Sequence, residues 1–165
     1  GRLSRPQLAW LLHVRIPWAV ARVRGDLVSI LYHVVGNGTA AMAKSRVGDS
    51  INVLGPLGNG FPLDISADKE ILFVAGGIGF GPFPYAMDSF ANWKLFYGVR
   101  NEAQLLLQDE VAALESAGKA FIATDDGSYG TKGFVTDLLD AYLAKNASNK
   151  VIFCCGPNPM MTRVC

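Results

Sequence analysis

The sequence predicts a partial antiparallel β-barrel followed by an α/β doubly wound parallel sheet. Three observations carry this expectation. Up to about residue 66, short strand-like runs are separated by tight turns, the pattern of a small barrel. Beyond Ile65, apolar runs alternate with amphipathic segments in the order βαβαβαβ. The glycine-rich loops of this second part lie at the carboxyl ends of its strands, the edge on which doubly wound sheets bind ligands. The expected boundary divides the chain into residues 1–66 and 67–165.

In the first part, Trp10–Ile16 alternates in polarity and reads as a strand. From Leu27 to Val35 the period of two is cleaner, with Val28, Ile30, Tyr32 and Val34 on one face. Gly36-Asn37-Gly38-Thr39 makes a turn, and Thr39 is placed to cap a short helical piece, AAMAKS. Ser50–Leu54 reads as a further strand, ended by GPLGNGF.

The second part opens on EILFVAGGIGFGPFP. Ile71 to Ala75 is an unbroken apolar run, expected for a strand buried on both faces of a parallel sheet. Gly76-Gly77 stops it. Gly79 and Gly81 then keep the backbone clear while a helix starts around Phe83, leaving main-chain N–H groups open to an anionic group. The same glycines would also suit an ordinary strand-to-helix turn. Strands are expected at Lys94–Val99, Phe121–Thr124 and Lys150–Cys154, with helices over Glu102–Ala117 and Phe134–Ala144. Gly156-Pro157 opens a last helix, proline being suited to a first turn.

Half of the chain is hydrophobic and 18% is charged, the range of an ordinary globular protein rather than a disordered one. Residues 1–66 hold seven Lys+Arg against three Asp+Glu, or +4, and the remainder eight against eleven, or −3. The asymmetry fits two modules of different character and is too small to imply nucleic acid. No apolar run reaches the length of a membrane span, and no secretory pattern is visible, so a cytoplasmic protein that engages no membrane is expected. Three cysteines, two of them adjacent, fit neither a disulfide framework nor a metal ligand set, so no metal site is expected within these residues. The chain begins at Gly1 and ends at Cys165, just inside an expected helix, which gives the expectation of a fragment.

VVGNGT, GPLGNGF, AGGIGFGP, TDDGSYGTKGFVTD and CGPNPMM occur in an order and spacing that resemble the ferredoxin reductase-like flavoproteins. Within these the chain is most similar to the PyrK-type electron-transfer subunit of NAD-dependent dihydroorotate dehydrogenase B. The resemblance covers Leu27 to Met161. It implies that residues 1–66 are the C-terminal part of an FAD-binding barrel, and that residues 67–165 are an NAD-binding domain truncated before an iron-sulfur module. Leu31, Tyr32 and His33 are then expected to line the FAD, and Gly38 and Thr39 to hold its pyrophosphate. Taken from the residues alone, Tyr32 is equally a core tyrosine and Thr39 a simple cap.

By the same resemblance, Gly76, Gly77, Gly79 and Gly81 receive the NAD pyrophosphate, and Cys155-Gly156-Pro157 lies beside the nicotinamide, with Cys155 as its proximal residue. A buried cysteine at a strand end is the plainer alternative. Asp125 and Asp126 stand where related NADP-using reductases carry serine and arginine; carboxylates there would repel a 2′-phosphate and accept from a free 2′-hydroxyl. For Asp126 an Asx turn into Gly127 is the alternative. The sequence departs from the family's Arg-Pro-x-Ser segment: Arg5-Pro6 continues as Gln7-Leu8 far upstream of Tyr32, and Arg15-Ile16-Pro17-Trp18 is nearer but matches poorly. A reading in which Trp10 to Pro17 is the preceding strand and the Arg-Pro loop has been lost stands equally beside them.

The resemblance implies an oxidoreductase subunit that passes electrons from dihydroorotate, oxidised on a partner FMN-containing catalytic subunit, through [2Fe-2S] and FAD to NAD+, in pyrimidine biosynthesis. The cluster's ligands would lie beyond Cys165, and the fragment alone would be inactive. Two alternatives stand beside it. One is the small subunit of an NAD-linked ferredoxin:NADP oxidoreductase or sulfide dehydrogenase, and the other is a non-catalytic nucleotide-binding remnant.

Overall fold

The computed structural model describes residues 16–146 and 149–165. The expected strand at Trp10–Ile16 and the Arg5-Pro6 segment lie outside the described residues, Ile16 excepted. Chain order begins with an antiparallel pair, β1 (Val20–Arg24) and β2 (Leu27–Ile30), turned at Gly25 with φ +56°. Here the structure corrects the expected strand over Leu27–Val35: pairing stops at Ile30, and residues 31–35 are neither helix nor strand. A short helix, α1 (Asn37–Met42), follows. The strand expected at Ser50–Leu54 does not form either. Among the described residues its alternating pattern meets no neighbouring strand, and Ile51, Val53 and Leu54 are exposed. A period of two makes a strand only where a partner ladder and a covered face exist.

The second part matches its expected architecture. Strands β3 (Glu70–Gly76), β4 (Trp93–Val99), β5 (Ala120–Thr124), β6 (Thr131–Lys132) and β7 (Lys150–Cys155) form one parallel sheet in the order β6-β5-β4-β3-β7. Their connections carry α2 (Phe83–Met87), α3 (Gln108–Ser116) and α4 (Val135–Lys145), and α5 (Asn158–Val164) follows β7. The chain leaves β3 for β4 and β5 on one side, then returns to β7 on the other. The carboxyl ends of β3 and β7 therefore form the switch point of the sheet.

Because β3 is central, both of its faces are covered. Ile71, Phe73 and Ala75 point into one core with Phe80, Phe83, Leu95, Tyr97 and Val111; Leu72 and Val74 point into the other with Phe96, Val135 and Leu139. Each fully buried large side chain contributes roughly 1.5–3 kcal/mol, so the sheet carries most of the stabilising burial. Phe61, from the otherwise irregular segment, joins this core edge-on to Phe153 at 5.0 Å. The helix expected over Glu102–Ala117 is split. A 3-10 turn (Glu102–Gln104) comes first, and Leu107, at φ +51°, redirects the chain into α3. The break lets Leu105 bury and brings the Leu106 N–H to the Tyr97 hydroxyl at 3.3 Å. No helix among the described residues is long and apolar enough to cross a membrane.

At the opposite end of the sheet, Glu70 accepts from the Tyr142 hydroxyl at 2.8 Å and pairs with Lys150 across the β3–β7 ladder. Burial alone would raise the Glu70 carboxyl; Lys150 and Tyr142 outweigh it and hold it below its ordinary value of 4.5. A depressed carboxyl contributes stability above its unfolded pKa and loses it as pH falls through the folded one. Glu70→Gln should therefore cost about 2 kcal/mol at neutral pH by leaving Lys150 without its carboxylate. Chemical denaturation at falling pH checks it: the gap to wild type should close below the ordinary carboxylate range, and a gap independent of pH would contradict this account.

Candidate nucleotide site

The carboxyl end of β3 approaches that of β7 more closely than side chains would permit. A Cβ on Gly79 would lie 2.2 Å from the Cys155 carbonyl oxygen, and one on Gly156 would lie 2.9 Å from the Gly76 nitrogen. A Cβ on Gly76 would lie 2.6 Å from Pro157 Cδ and 2.8 Å from Met160 Sδ. These three glycines are required by contact between segments. Gly77 is required by conformation instead: its φ is +55°, and the space where a Cβ would point is open. Gly81 closes the turn, its N–H donating to the Ile78 carbonyl at 2.9 Å. A 3-10 turn (Gly77–Phe80) comes first, and α2 begins at Phe83, where the helix is expected from sequence. Phe80 anchors that turn by stacking on Tyr97 at 4.7 Å.

Above this junction lies a cleft of about 400 Å3. Of the residues expected from sequence, it brings together Gly76, Gly77, Asp125 and Pro157. Gly79, Gly81 and Gly156 are not on its wall; they make the packing that shapes it. Residues that sequence reasoning missed complete the lining: Gly98 and Val99 at the end of β4, Arg100 and Gln104 after it, Phe134 to Thr136 at the start of α4, and Pro159, Met160 and Arg163 on α5. The available signal for Arg100 was its place directly after an apolar strand, the same place Asp125 occupies after β5. Gly98 was legible only in three dimensions, since a Cβ there would come within 2.9 Å of Val135.

The two aspartates differ. Among the described residues, the Asp125 carboxylate makes no hydrogen bond or ion pair, and neither does the Arg100 guanidinium. The Asp126 carboxylate accepts from the Ser128 hydroxyl at 2.6 Å and from the Ser128 N–H at 2.9 Å, which holds its pKa below the ordinary 3.8. This is the Asx-turn alternative, and Asp126 is not on the cleft wall. Arg163 is itself held by Asp137 at 2.6 Å and Asp140 at 3.2 Å.

Cys154 and Cys155 face opposite cores, and burial raises both thiols, Cys154 to about 11. A thiol held neutral in this way is no nucleophile. Among the described residues, no three His, Cys, Asp or Glu side chains gather to hold a metal ion, so a [2Fe-2S] cluster does not fit them.

The residues expected for the flavin lie on the neighbouring segment. Leu31 reaches the glycine turn, with its Cβ 3.8 Å from where a Gly81 Cβ would be. Tyr32 is half-buried and stacks on Trp18 at 6.0 Å, while His33 is exposed. Gly38 packs against the Ile16 side chain, whose terminal methyl would lie 2.9 Å from a Cβ there. Thr39 is buried at the third position of α1 rather than at its cap, a correction to the sequence expectation. Its hydroxyl accepts from the Val35 and Gly36 N–H groups at 3.0 and 3.2 Å and donates to the Gly36 carbonyl. The hairpin is tied to the sheet domain by a bidentate Arg22–Glu110 pair at 2.8 and 2.6 Å.

A crevice at the switch point of a parallel sheet, floored by glycines and walled by an arginine and an aspartate that have no partner among the described residues, suits a nucleotide. The profile of the family described as "Oxidoreductase NAD-binding domain" matches residues 73–165. The chain belongs to this family. Its curated relatives include the "dihydroorotate dehydrogenase B (NAD(+)), electron transfer subunit" of Geobacillus kaustophilus, 39% identical, covering 81% of this chain and 51% of the relative. The subunit of the same name from Fusobacterium nucleatum is 36% identical, covering 90% of this chain and 59% of that one. This chain thus spans about half the length of the curated relatives it matches. The solved structure of an NADH-dependent reduced ferredoxin-NADP oxidoreductase superposes with a TM-score of 0.72 at 31% identity, over 89% of this chain and 54% of that one.

The packing gives a contrast between two glycines of this NAD-binding domain. Gly79→Ala should destabilise the fold by about 3 kcal/mol, because its methyl meets backbone that cannot give way. Gly77→Ala should cost only about 1 kcal/mol of left-handed backbone strain. Thermal denaturation of both variants checks the order, and equal losses would contradict the packing.

Proposed function

We propose that this chain is part of the electron-transfer flavoprotein subunit of an NAD-dependent dihydroorotate dehydrogenase. In this reading β1, β2 and the extended segment after them are the closing part of an FAD-binding barrel, and the cleft receives NAD. The carrying observation is that Gly76-Gly77, Asp125 and Pro157, from three segments far apart in sequence, line one cleft at the switch point. The identity of 34–40% to subunits of that name supports the choice within the family.

Hydride exchange between nicotinamide and flavin is the cofactors' own chemistry. The chain's residues bind and orient. Gly77 keeps the cleft floor bare for close backbone approach, Gly76 lets Pro157 and Met160 pack onto that floor, and Gly79 and Gly156 hold it against β7. Asp125 accepts from a ribose hydroxyl and repels a 2′-phosphate. Cys155, small and neutral, occupies the end of β7 against Gly79, without blocking the approach of two rings. Leu31 and Tyr32 offer apolar and aromatic surface to the flavin, and the backbone at Gly38 and Thr39 is the proposed contact to its pyrophosphate.

The partner proposed is an FMN-containing catalytic subunit that oxidises dihydroorotate. A second reading, the small subunit of an NAD-linked ferredoxin:NADP oxidoreductase, is favoured by the 0.72 superposition on such an enzyme. Mixing the full-length protein with a candidate FMN subunit separates them. Dihydroorotate should drive NAD+ reduction, with NADP+ used at least about tenfold less well, which one unfavourable interaction of about 1.4 kcal/mol provides. Equal or better use of NADP+, or electron delivery from reduced ferredoxin but not from dihydroorotate, would overturn the first reading.

A further inference from the structure

Ser128 stands on neither the cleft wall nor the core, yet it joins the two loops that carry Arg100 and Asp125. Its hydroxyl oxygen accepts from the Glu102 N–H at 2.8 Å, and its hydroxyl proton goes to Asp126. Glu102 is gripped at its other end too, its carbonyl accepting from Gln108 Nε2 at 3.1 Å. It opens the 3-10 turn that ends at the cleft residue Gln104, and Arg100 lies two residues before it. On the other side, the Asp125 and Asp126 N–H groups donate to the Val99 and Arg100 carbonyls at 3.1 and 3.3 Å.

We propose that Ser128, backed by Asp126, is a positioning residue for nucleotide choice: it latches the loop after β5 to the loop after β4 and so fixes Asp125 relative to Arg100 and Gln104. The cleft holds a group that repels a phosphate and a group that attracts one, so which of them a ribose 2′ substituent meets is decided by placement. Coulomb energy falls with distance, and a shift of an ångström or two between the loops changes the balance. The inference rests on the reading of the cleft as an NAD site.

The base of the β5 loop does not depend on the latch. Thr124 is fully buried, its hydroxyl donating to the Tyr129 carbonyl at 2.7 Å and accepting from the Tyr129 N–H at 3.1 Å. The Tyr129 hydroxyl donates to Glu115 on α3 at 2.9 Å. Gly130, at φ +63°, lies against the Ile122 carbonyl, where a Cβ would come within 2.5 Å. Ser128 and Asp126 are exposed at the tip, so cutting the latch loosens the tip without opening the core.

The test is calorimetric binding of NADH and NADPH to the full-length flavoprotein and its variants. Ser128→Ala should weaken NADH about threefold to tenfold, the range of one lost hydrogen bond. It should also lower the NADH-to-NADPH preference by about tenfold, with an unchanged melting temperature. Ser128→Thr, which keeps the hydroxyl, should restore both. Asp126→Ala, which removes the acceptor behind the serine, should move the preference in the same direction. Unchanged affinity and preference in both Ser128→Ala and Asp126→Ala would overturn the latch. Asp125→Ala distinguishes the two levels. If it abolishes the preference while the latch variants do not, the latch alone fails; if wild type shows no preference for NADH, the reading of the cleft fails with it.

Discussion

The rest of this structure depends on the bare-backbone contact between the ends of β3 and β7. Gly79 lies against the Cys155 carbonyl, and Gly156 against Gly76, with spacings no side chain could share. That contact sets where the β3 loop turns, and so where Phe80 stacks on Tyr97 and where α2 begins. It also fixes α5, whose Met160 covers Gly76 and Gly156 and whose Arg163 faces the cleft. A phosphate-binding turn of this sort is usually argued from helix N-termini. In this chain the 3-10 turn and the five-residue α2 leave less dipole for that argument, and the glycines act by clearing space.

Around the junction, polar groups divide into those already satisfied and those left for a ligand. Asp126, Ser128, Thr39 and Arg163 are engaged within the protein, while Arg100 and Asp125 face a cleft with no partner among the described residues. A polar group with a partner in place gains little from a ligand, whereas an unengaged one offers its full interaction. The division leaves the unengaged charged groups on the tips of β4 and β5. It also assigns the adjacent aspartates opposite tasks, one facing outward and one bracing the loop.

Much of the sheet domain was legible because its signals are local. An unbroken ILFVA run is hard to satisfy except on a central parallel strand, and the glycine loops could be placed at carboxyl ends from chain order alone. The cleft was half legible. Gly76, Gly77, Asp125 and Pro157 sit in turn motifs, but Val135, Met160 and Arg163 come from helices whose rotation toward the cleft is set by packing. Helical periodicity across Glu102–Ala117 concealed the break at Leu107, because burying Leu105 and satisfying Tyr97 outweigh a continuous helix. The first part was least legible, since an alternating run such as Ser50–Leu54 carries no information about whether a partner strand is at hand.

An amide-resolved NMR titration of the full-length protein with NADH tests the central claim most directly. The account predicts shifts clustered on Gly76, Gly77, Gly98, Arg100, Gln104 and Asp125, with Met160 and Arg163 moving on the facing helix. Shifts centred instead on the cavity between the hairpin and α3, lined by Arg22, Asp88 and Glu110, would contradict it.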